Sequence, residues 1–229
     1  MEADSTILFA TKRRLWASVK PCRPMMRRDL AAEELLAAYS VGLFPMADEK
    51  GEIHWLAPDP RAVIDLDVFK VSRSLRAVRR RGVFQVTVDQ AFDTVIETCA
   101  DRREGTWISG EIKEAYRALH RLGFAHSVEA WQGERLAGGL YGVTIRGAFF
   151  GESMFHHVSD ASKIAVVHLV ERMKKRGLIL LDVQFMTEHL RRFGAVEIPR
   201  TEYERRLGNA LSLSCSFIDA PSESTAGDP

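Results

Sequence analysis

No stretch of this sequence reaches the roughly 18 apolar residues that a membrane-spanning helix needs, and the basic start lacks the apolar centre of a secretory signal. Cysteine is scarce: Cys22, Cys99 and Cys215 are odd in number and far apart. They make neither a CxxC zinc pattern nor a disulfide framework, so a reducing, cytoplasmic setting is expected. An excess of one charge is also missing. Thirty-two basic against 31 acidic residues leave a net charge of +1. That excludes a uniformly basic nucleic-acid coat and confines any polyanion site to a local patch. The seven histidines form no HExxH or other metal-ligand spacing, so no metal centre is expected. There is no internal repeat. What is present is ordinary globular composition: 229 residues, 46% apolar and 28% charged, enough for a sizeable core in one or two domains.

Basic residues gather in two places. Residues 1–28 hold seven of them against Glu2 and Asp4. This segment reads as a disordered basic extension, or as an over-long gene start ahead of Met25 and Met26. Lys70 to Arg81 holds six basic residues and no acid. Arg73, Arg76 and Arg80 recur at i, i+3 and i+7 and share one face if the stretch is helical. Such a face is either simply solvated or a footprint for RNA phosphates, whose contacts release counterions. The tail, set at 213–229 and rich in Ser, Ala, Pro and Gly beyond Asp219, reads as disordered.

Between these ends the pattern is mixed α/β. Asp29 is expected to cap a helix over 30–41 that Gly42 ends. Residues 43–61 carry Pro45, Gly51, Pro58 and Pro60 among Phe44 and Trp55 and read as a structured loop or small subdomain. Strands are expected at 62–66 and 83–88. Asp89 and Ser109 are expected to cap helices over 90–100 and 110–122, where Phe92, Val95, Ile96, Cys99 and Ile112, Ala115, Tyr116, Leu119 recur at helical spacing. A strand at 126–132 precedes a hairpin-like pair at 135–144 and 147–152. Ser159 or Asp160 would cap a helix over 161–176. A strand over 178–184 begins with a continuous apolar run, as in strands buried on both faces. Thr187 starts a short helix to Phe193, and a last strand lies near 195–199. The domain reading is a small N-terminal domain at 29–67 and a larger one at 68–212. The order of strands and helices in the larger part is that of GNAT-type acyltransferase domains, by analogy alone.

Chemistry is expected at two strand ends. Alternation places Asp182 and Gln184 on one face, roughly 7 Å apart along the strand, at the carboxyl end where α/β proteins bind ligands. An aspartate there can orient an amide or a hydroxyl; alternatively Asp182 satisfies loop backbone. Glu152 follows the apolar Ala148, Phe149 and Phe150. It can bind an ammonium group, or form a salt bridge to Lys163. Gly151-Glu152-Ser153-Met154-Phe155 lacks the last glycine of a hydrolase nucleophile elbow. A CoA pyrophosphate loop is poorly matched: Arg135 to Leu140 fails at its last position and His120 to Ala125 at its first.

The chain closely resembles the leucyl/phenylalanyl-tRNA–protein transferase family. The resemblance rests on Gly42-Leu43-Phe44-Pro45; Trp55 with Pro58-Asp59-Pro60-Arg61; Gly105-Thr106-Trp107-Ile108; Ala115-Tyr116 with Leu119-His120; Ala125-His126-Ser127-Val128-Glu129; Gly138-Gly139-Leu140-Tyr141-Gly142; Gly151-Glu152-Ser153-Met154-Phe155; Ala161-Ser162-Lys163; Leu181-Asp182-Val183-Gln184; His189-Leu190; and Gly194-Ala195. These appear in family order across residues 30–207. The chain departs from many members at Leu56, where a second Trp is common, at Met46, and at Leu169 and Met173, where some carry Phe.

The resemblance implies a small N-terminal domain and a GNAT-like C-terminal one. It implies transfer of Leu or Phe, and less well Met, from charged tRNA to proteins beginning with Arg or Lys, which are then degraded through the N-degron pathway. No metal, CoA or other cofactor is implied, because the tRNA ester is already activated. It further implies that Asp182 polarises Gln184, whose carbonyl oxygen receives the attacking amine's proton. Glu152 would contact the aminoacyl amine. Trp107, Met154, Leu140, Leu169, Met173 and Leu181 would form the apolar pocket, with Trp55 and Tyr116 also binding substrate and Arg73, Arg76 and Arg80 binding tRNA. The runner-up is an N-acyltransferase using acyl-CoA.

Overall fold

The computed structural model describes residues 30–103 and 105–219. The basic extension, the Asp29 cap and residues 220–229 lie outside the described residues. Helix α1 (Ala32–Ser40) turns Leu35, Ala38 and Tyr39 inward. Gly42, at a φ of +79°, ends it in the left-handed turn that glycine favours. The proline-rich stretch that follows holds a small antiparallel sheet, β1 (Phe44–Ala47) with β2 (Ile53–Leu56).

β3 (Arg61–Ile64) then leaves this lobe. It enters a seven-stranded sheet with β4 (Gln85–Val88), β5 (Ala125–Gln132), β6 (Arg135–Ile145), β7 (Ala148–His156), β8 (Leu180–Gln184) and β9 (Ala195–Ile198). The order is β4-β5-β6-β7-β8-β3-β9, and only the β7–β8 pair is parallel. A domain boundary at 67/68 therefore differs from the observed arrangement, because residues 61–64 belong to the large sheet. A four-residue strand carries no periodicity that declares its partners.

Alternation along the central strands feeds two cores. Leu140, Phe149 and Leu181 point to one, while Tyr141, Phe150 and Leu180 point to the other. The first is covered by α2 (Arg73–Arg80), α5 (Ala161–Arg176) and α6 (Glu188–Arg192). The second is covered by α1, α3 (Phe92–Ala100), α4 (Gly110–Arg121) and α7 (Arg200–Leu211). Each buried Leu, Ile or Phe contributes about 1.5–3 kcal/mol. Glycine is required where β6 and β7 slip register between Tyr141 and Gly142. A Cβ on Gly142 would lie 2.3 Å from the Phe150 carbonyl oxygen.

Ser109 and Thr187 cap their helices as expected, accepting from Ile112 N at 3.3 Å and Leu190 N at 3.2 Å. Asp89 does not. Its carboxylate instead accepts from Ser127 N at 2.9 Å and sits 2.7 Å from His126 Nδ1, and Glu129 takes the Ala91 N–H at 3.3 Å. α5 begins without a side-chain cap, after Asp160 in the left-handed region. Helix α7 was not foreseen: in twelve mostly polar residues it buries only Tyr203, Leu207 and Ala210. The expected disordered tail from 213 is folded as far as 219. Phe217 is buried against Phe149 and His126; Arg172 donates to its backbone carbonyl, and Arg176 to those of Ser216 and Ile218.

Candidate active site

The site forms where the parallel strands part. Pairing of β7 with β8 ends at Phe150 opposite Asp182, while β7 continues to His156 against β6. Glu152 and Gln184 meet across the opening, with Gln184 Nε2 donating to Glu152 Oε1 at 2.9 Å. Gln184 reaches this position by an irregular backbone. β8 slips against β3 between Ala62 and Val63, and Gln184 adopts a φ of +65°. A non-glycine residue in that region carries strain of about 1–3 kcal/mol, held only where surrounding structure over-determines it.

Two buried carboxylates lie here with different company. Asp182 accepts from Arg61 Nε (3.0 and 3.1 Å) and Nη2 (2.7 Å), from the Tyr203 hydroxyl (2.7 Å) and from the backbone N–H of Gln184 (2.8 Å). Arg61 is itself 1% exposed. Its guanidinium lies 4.7 Å from the ring centroids of both Phe44 and Tyr203, and Nη1 donates to the Gly42 carbonyl at 3.0 Å. Burial works against its charge, but Asp182 and then Tyr203 reverse that and leave its pKa raised. Glu152, by contrast, accepts from neutral donors: Gln184 and the Tyr39 hydroxyl at 2.7 Å. Tyr39 is in turn 2.5 Å from the Tyr116 hydroxyl. Burial, then the charge of Glu152, push both hydroxyls well above the usual tyrosine range, so both stay protonated.

Glu152 lies at the edge of a narrow cleft whose other walls are almost wholly apolar. Of the expected pocket residues, Leu140, Met154, Leu169 and Leu181 line it. Met173 does not; it is fully buried in the core beneath α5. Trp107, Trp55 and Tyr116 are packed in the other core, across the sheet. Their sequence signal, an aromatic next to a turn, fits core and pocket equally. Ile64, Val166, Val183 and Leu190 are walls that the sequence reading missed. Val166 recurs with Leu169, Val170 and Met173 at helical spacing, and nothing in such a local pattern separates core from cavity lining.

The expected relay needs correction. Asp182 grips the backbone of Gln184, not its side-chain amide. Both residues are fully buried, and neither lines the cleft. Gln184 reaches the cleft through Glu152. The alternative partner for Glu152, Lys163, pairs with Asp160 at 3.0 Å instead. Ser153 accepts from Arg102 Nη2 at 2.8 Å within a strand, and no nucleophile elbow forms there. Neither candidate pyrophosphate loop opens a helix: Arg135 to Leu140 is strand, and His120 to Ala125 runs from the end of α4 into β5.

Arg73, Arg76 and Arg80 are exposed on α2; of that helix's arginines, Arg79 pairs with Glu171 on α5. One trio among the described residues, Asp48, Glu52 and His54, brings potential metal-ligand atoms within 4.8 Å of one another. It belongs to the β1–β2 turn, where Asp48 Oδ1 accepts from Lys50 N and Glu52 N and Oδ2 lies 3.1 Å from His54 Nε2. This is turn chemistry, and none of the three lines the cleft. No helix among the described residues is long and apolar enough to cross a membrane.

Comparison with known proteins joins this geometry to a family. The family described as leucyl/phenylalanyl-tRNA protein transferase matches residues 63–208, and its N-terminal domain matches residues 28–59. The transferase of that name from Rubrobacter xylanophilus is 56% identical over 189 residues, covering 82% of this chain and 98% of its own. Those from Salinibacter ruber and Phenylobacterium zucineum are 53% and 52% identical, over 82% and 86% of this chain and 84% and 93% of theirs. Among solved structures, L-PGS from Bacillus licheniformis is similar at 15% identity and a TM-score of 0.39, over 69% of this chain and 55% of that one, too distant to bear on function. With matched segments on both sides of Arg61 and a named relative 56% identical over the 189 residues they share, the chain belongs to the leucyl/phenylalanyl-tRNA–protein transferase family of aminoacyltransferases.

Proposed function

We propose that this protein transfers leucine or phenylalanine, and less readily methionine, from charged tRNA to the α-amine of proteins that begin with Arg or Lys, marking them in the cytoplasm for N-degron proteolysis. The observation that supports this best is the apolar cleft ending in Glu152. A free aminoacyl ester has a side chain and an α-ammonium group. The cleft offers Leu140, Val166, Leu169 and Leu181 to the first and a carboxylate to the second. Met154 adds an adaptable thioether, which suits walls that must close on both branched and planar side chains. A charged side chain would be rejected by its desolvation cost.

The chemistry is aminolysis. The acceptor's neutral α-amine attacks the ester carbonyl, the C–N bond forms, and the C–O bond to the tRNA ribose breaks. The proton lost by nitrogen returns to the leaving ribose oxygen. The ester brings its own activation, so the main demand is placement of the amine about 3 Å from the carbonyl, and placement can supply several kcal/mol. Glu152 holds the aminoacyl ammonium. Gln184 and Asp182, both out of the cleft, act as positioning groups behind it. A neutral amide is a weak base, which agrees with that role. Arg73, Arg76 and Arg80 offer a phosphate-binding face on α2, which packs against α5, the helix that supplies Val166 and Leu169.

Incubating the protein with leucyl-tRNA and a peptide beginning with Arg should yield the Leu-Arg peptide, and acetyl-CoA in place of the tRNA should yield no acetylated peptide. Absence of product with intact charged tRNA overturns the proposal. Replacing Arg73, Arg76 and Arg80 together by Ala should flatten the salt dependence of tRNA binding by about one unit per lost phosphate contact. An unchanged slope would make this face merely solvated.

A further inference from the structure

Asp182 is fully buried and heavily hydrogen-bonded, yet it does not line the cleft. Three of its four donors come from elsewhere in the chain, two from Arg61 on β3 and one from Tyr203 on α7, and the fourth is the backbone N–H of Gln184 beside it. Taking an arginine and an aspartate out of water is expensive. Such a pair is weak evidence for stability, and its retention calls for another explanation. What distinguishes this pair is the group held at its far end. The Gln184 N–H that Asp182 accepts belongs to a residue at a φ of +65°. That backbone, in turn, aims the Gln184 amide at Glu152, 2.9 Å away.

We propose that Arg61 and Tyr203 are positioning residues for acyl transfer: they fix Asp182 so that it pins the Gln184 backbone in its left-handed conformation, and thereby set the Glu152 carboxylate at the edge of the cleft. The inference rests on the proposed function for its kinetic consequence, but not for its conformational one. The influence runs through hydrogen bonds and not through charge. Asp182, already bound by a guanidinium, holds a peptide N–H; it does not polarise a side chain. Gly42 and Phe44 complete the grip on Arg61, one through its carbonyl and the other through its ring. A Cβ on Gly42 would lie 2.7 Å from Tyr203 Cε1, so the tyrosine ring is seated tightly against the helix-ending turn.

Tyr203→Phe removes one hydrogen bond to Asp182 and keeps the ring against Arg61, so it tests the clamp without emptying the core. Two readouts apply to the full-length protein. In the peptide-extension assay, kcat/KM for leucyl-tRNA should fall roughly tenfold, as expected for loss of a hydrogen bond to a charged group, while affinity for uncharged tRNA stays unchanged. In a Gln184→Ala background the same substitution should have no further effect, because the clamp acts through Gln184. Losses that multiply, or an equal loss in uncharged-tRNA affinity, would make Tyr203 a general structural residue and overturn the proposal. The second readout needs no activity: amide hydrogen exchange at the Gln184 N–H should be faster in Tyr203→Phe than in the parent, with α3 and α4 unchanged. Unaltered exchange at Gln184 overturns the clamp even if transfer falls. A parent protein that transfers no leucine sinks the functional reading, and the exchange result still decides the clamp.

Discussion

Asp182 and Glu152 are both buried carboxylates at the mouth of the same parting pair of strands, and they are dressed in opposite ways. Asp182 faces an arginine that is itself buried between two rings. Glu152 faces a glutamine amide and a tyrosine hydroxyl, with the cleft on its other side. A carboxylate answered by a guanidinium is already neutralised and serves to hold structure. One held by an amide and a hydroxyl is oriented by them toward the cleft. In the proposed function the two acids therefore divide the labour, Asp182 supporting and Glu152 receiving.

The sharpest way to break this comparison is to remove the cation from the first acid. Arg61→Ala leaves Asp182 charged and unanswered in the interior, which costs about 3–5 kcal/mol. Urea denaturation should show a folded state that is barely populated or lost; a midpoint like the parent's would mean that the pair is not the scaffold described here. The complementary change is Glu152→Gln, which keeps the shape and a side chain able to bond Tyr39. Stability should move by less than roughly 1 kcal/mol, whereas transfer from leucyl-tRNA should fall roughly 10- to 100-fold through loss of the ion pair with the α-ammonium. Equal damage to folding and turnover would erase the distinction between the two acids.

The smallest effect concerns a buried titratable group outside the site. His168 on α5 is half-buried, and burial lowers its pKa below 6.5, opposed by Glu171 and assisted by Arg172 and Arg79. The folded state thus binds its proton less tightly than the unfolded chain does. Its contribution is fully favourable above pH 6.5, falls as pH drops through that value, and levels off once the folded form is protonated too. The thermal midpoint should decline on acidification, and His168→Gln should flatten that decline. An identical pH profile in the variant would remove His168 from the account.

How much of this could be read beforehand differs from element to element. Helices with a broad apolar stripe and a clear stop, such as α4 and α5, were legible nearly to the residue. So were the pairing of β6 with β7 and the pocket positions Leu140, Met154, Leu169 and Leu181, the last through family resemblance. Asp89 was misread because a carboxylate just before a helix looks like a cap whether it turns to that helix or to the strand behind it. Helix α7 was missed because three buried residues in twelve make too narrow a stripe against the charges around them. With α7 went Tyr203, and without Tyr203 there was no reason to see Arg61 as anything but the end of a proline-rich turn. The clamp joins residues 42, 61, 182 and 203, and no window of sequence contains such a set. The tryptophans failed differently: their chemistry suits a cleft wall or a core, and only the path of the sheet decides between them.

The grip of Gly42 and Phe44 on Arg61 has a consequence for anyone wishing to recombine these proteins. The family's two matched segments meet at residues 59 and 63, a tempting seam for grafting one relative's front onto another's back. The join runs straight through the guanidinium's socket, so a working chimaera must keep Gly42, Phe44, Arg61, Asp182 and Tyr203 together as a set.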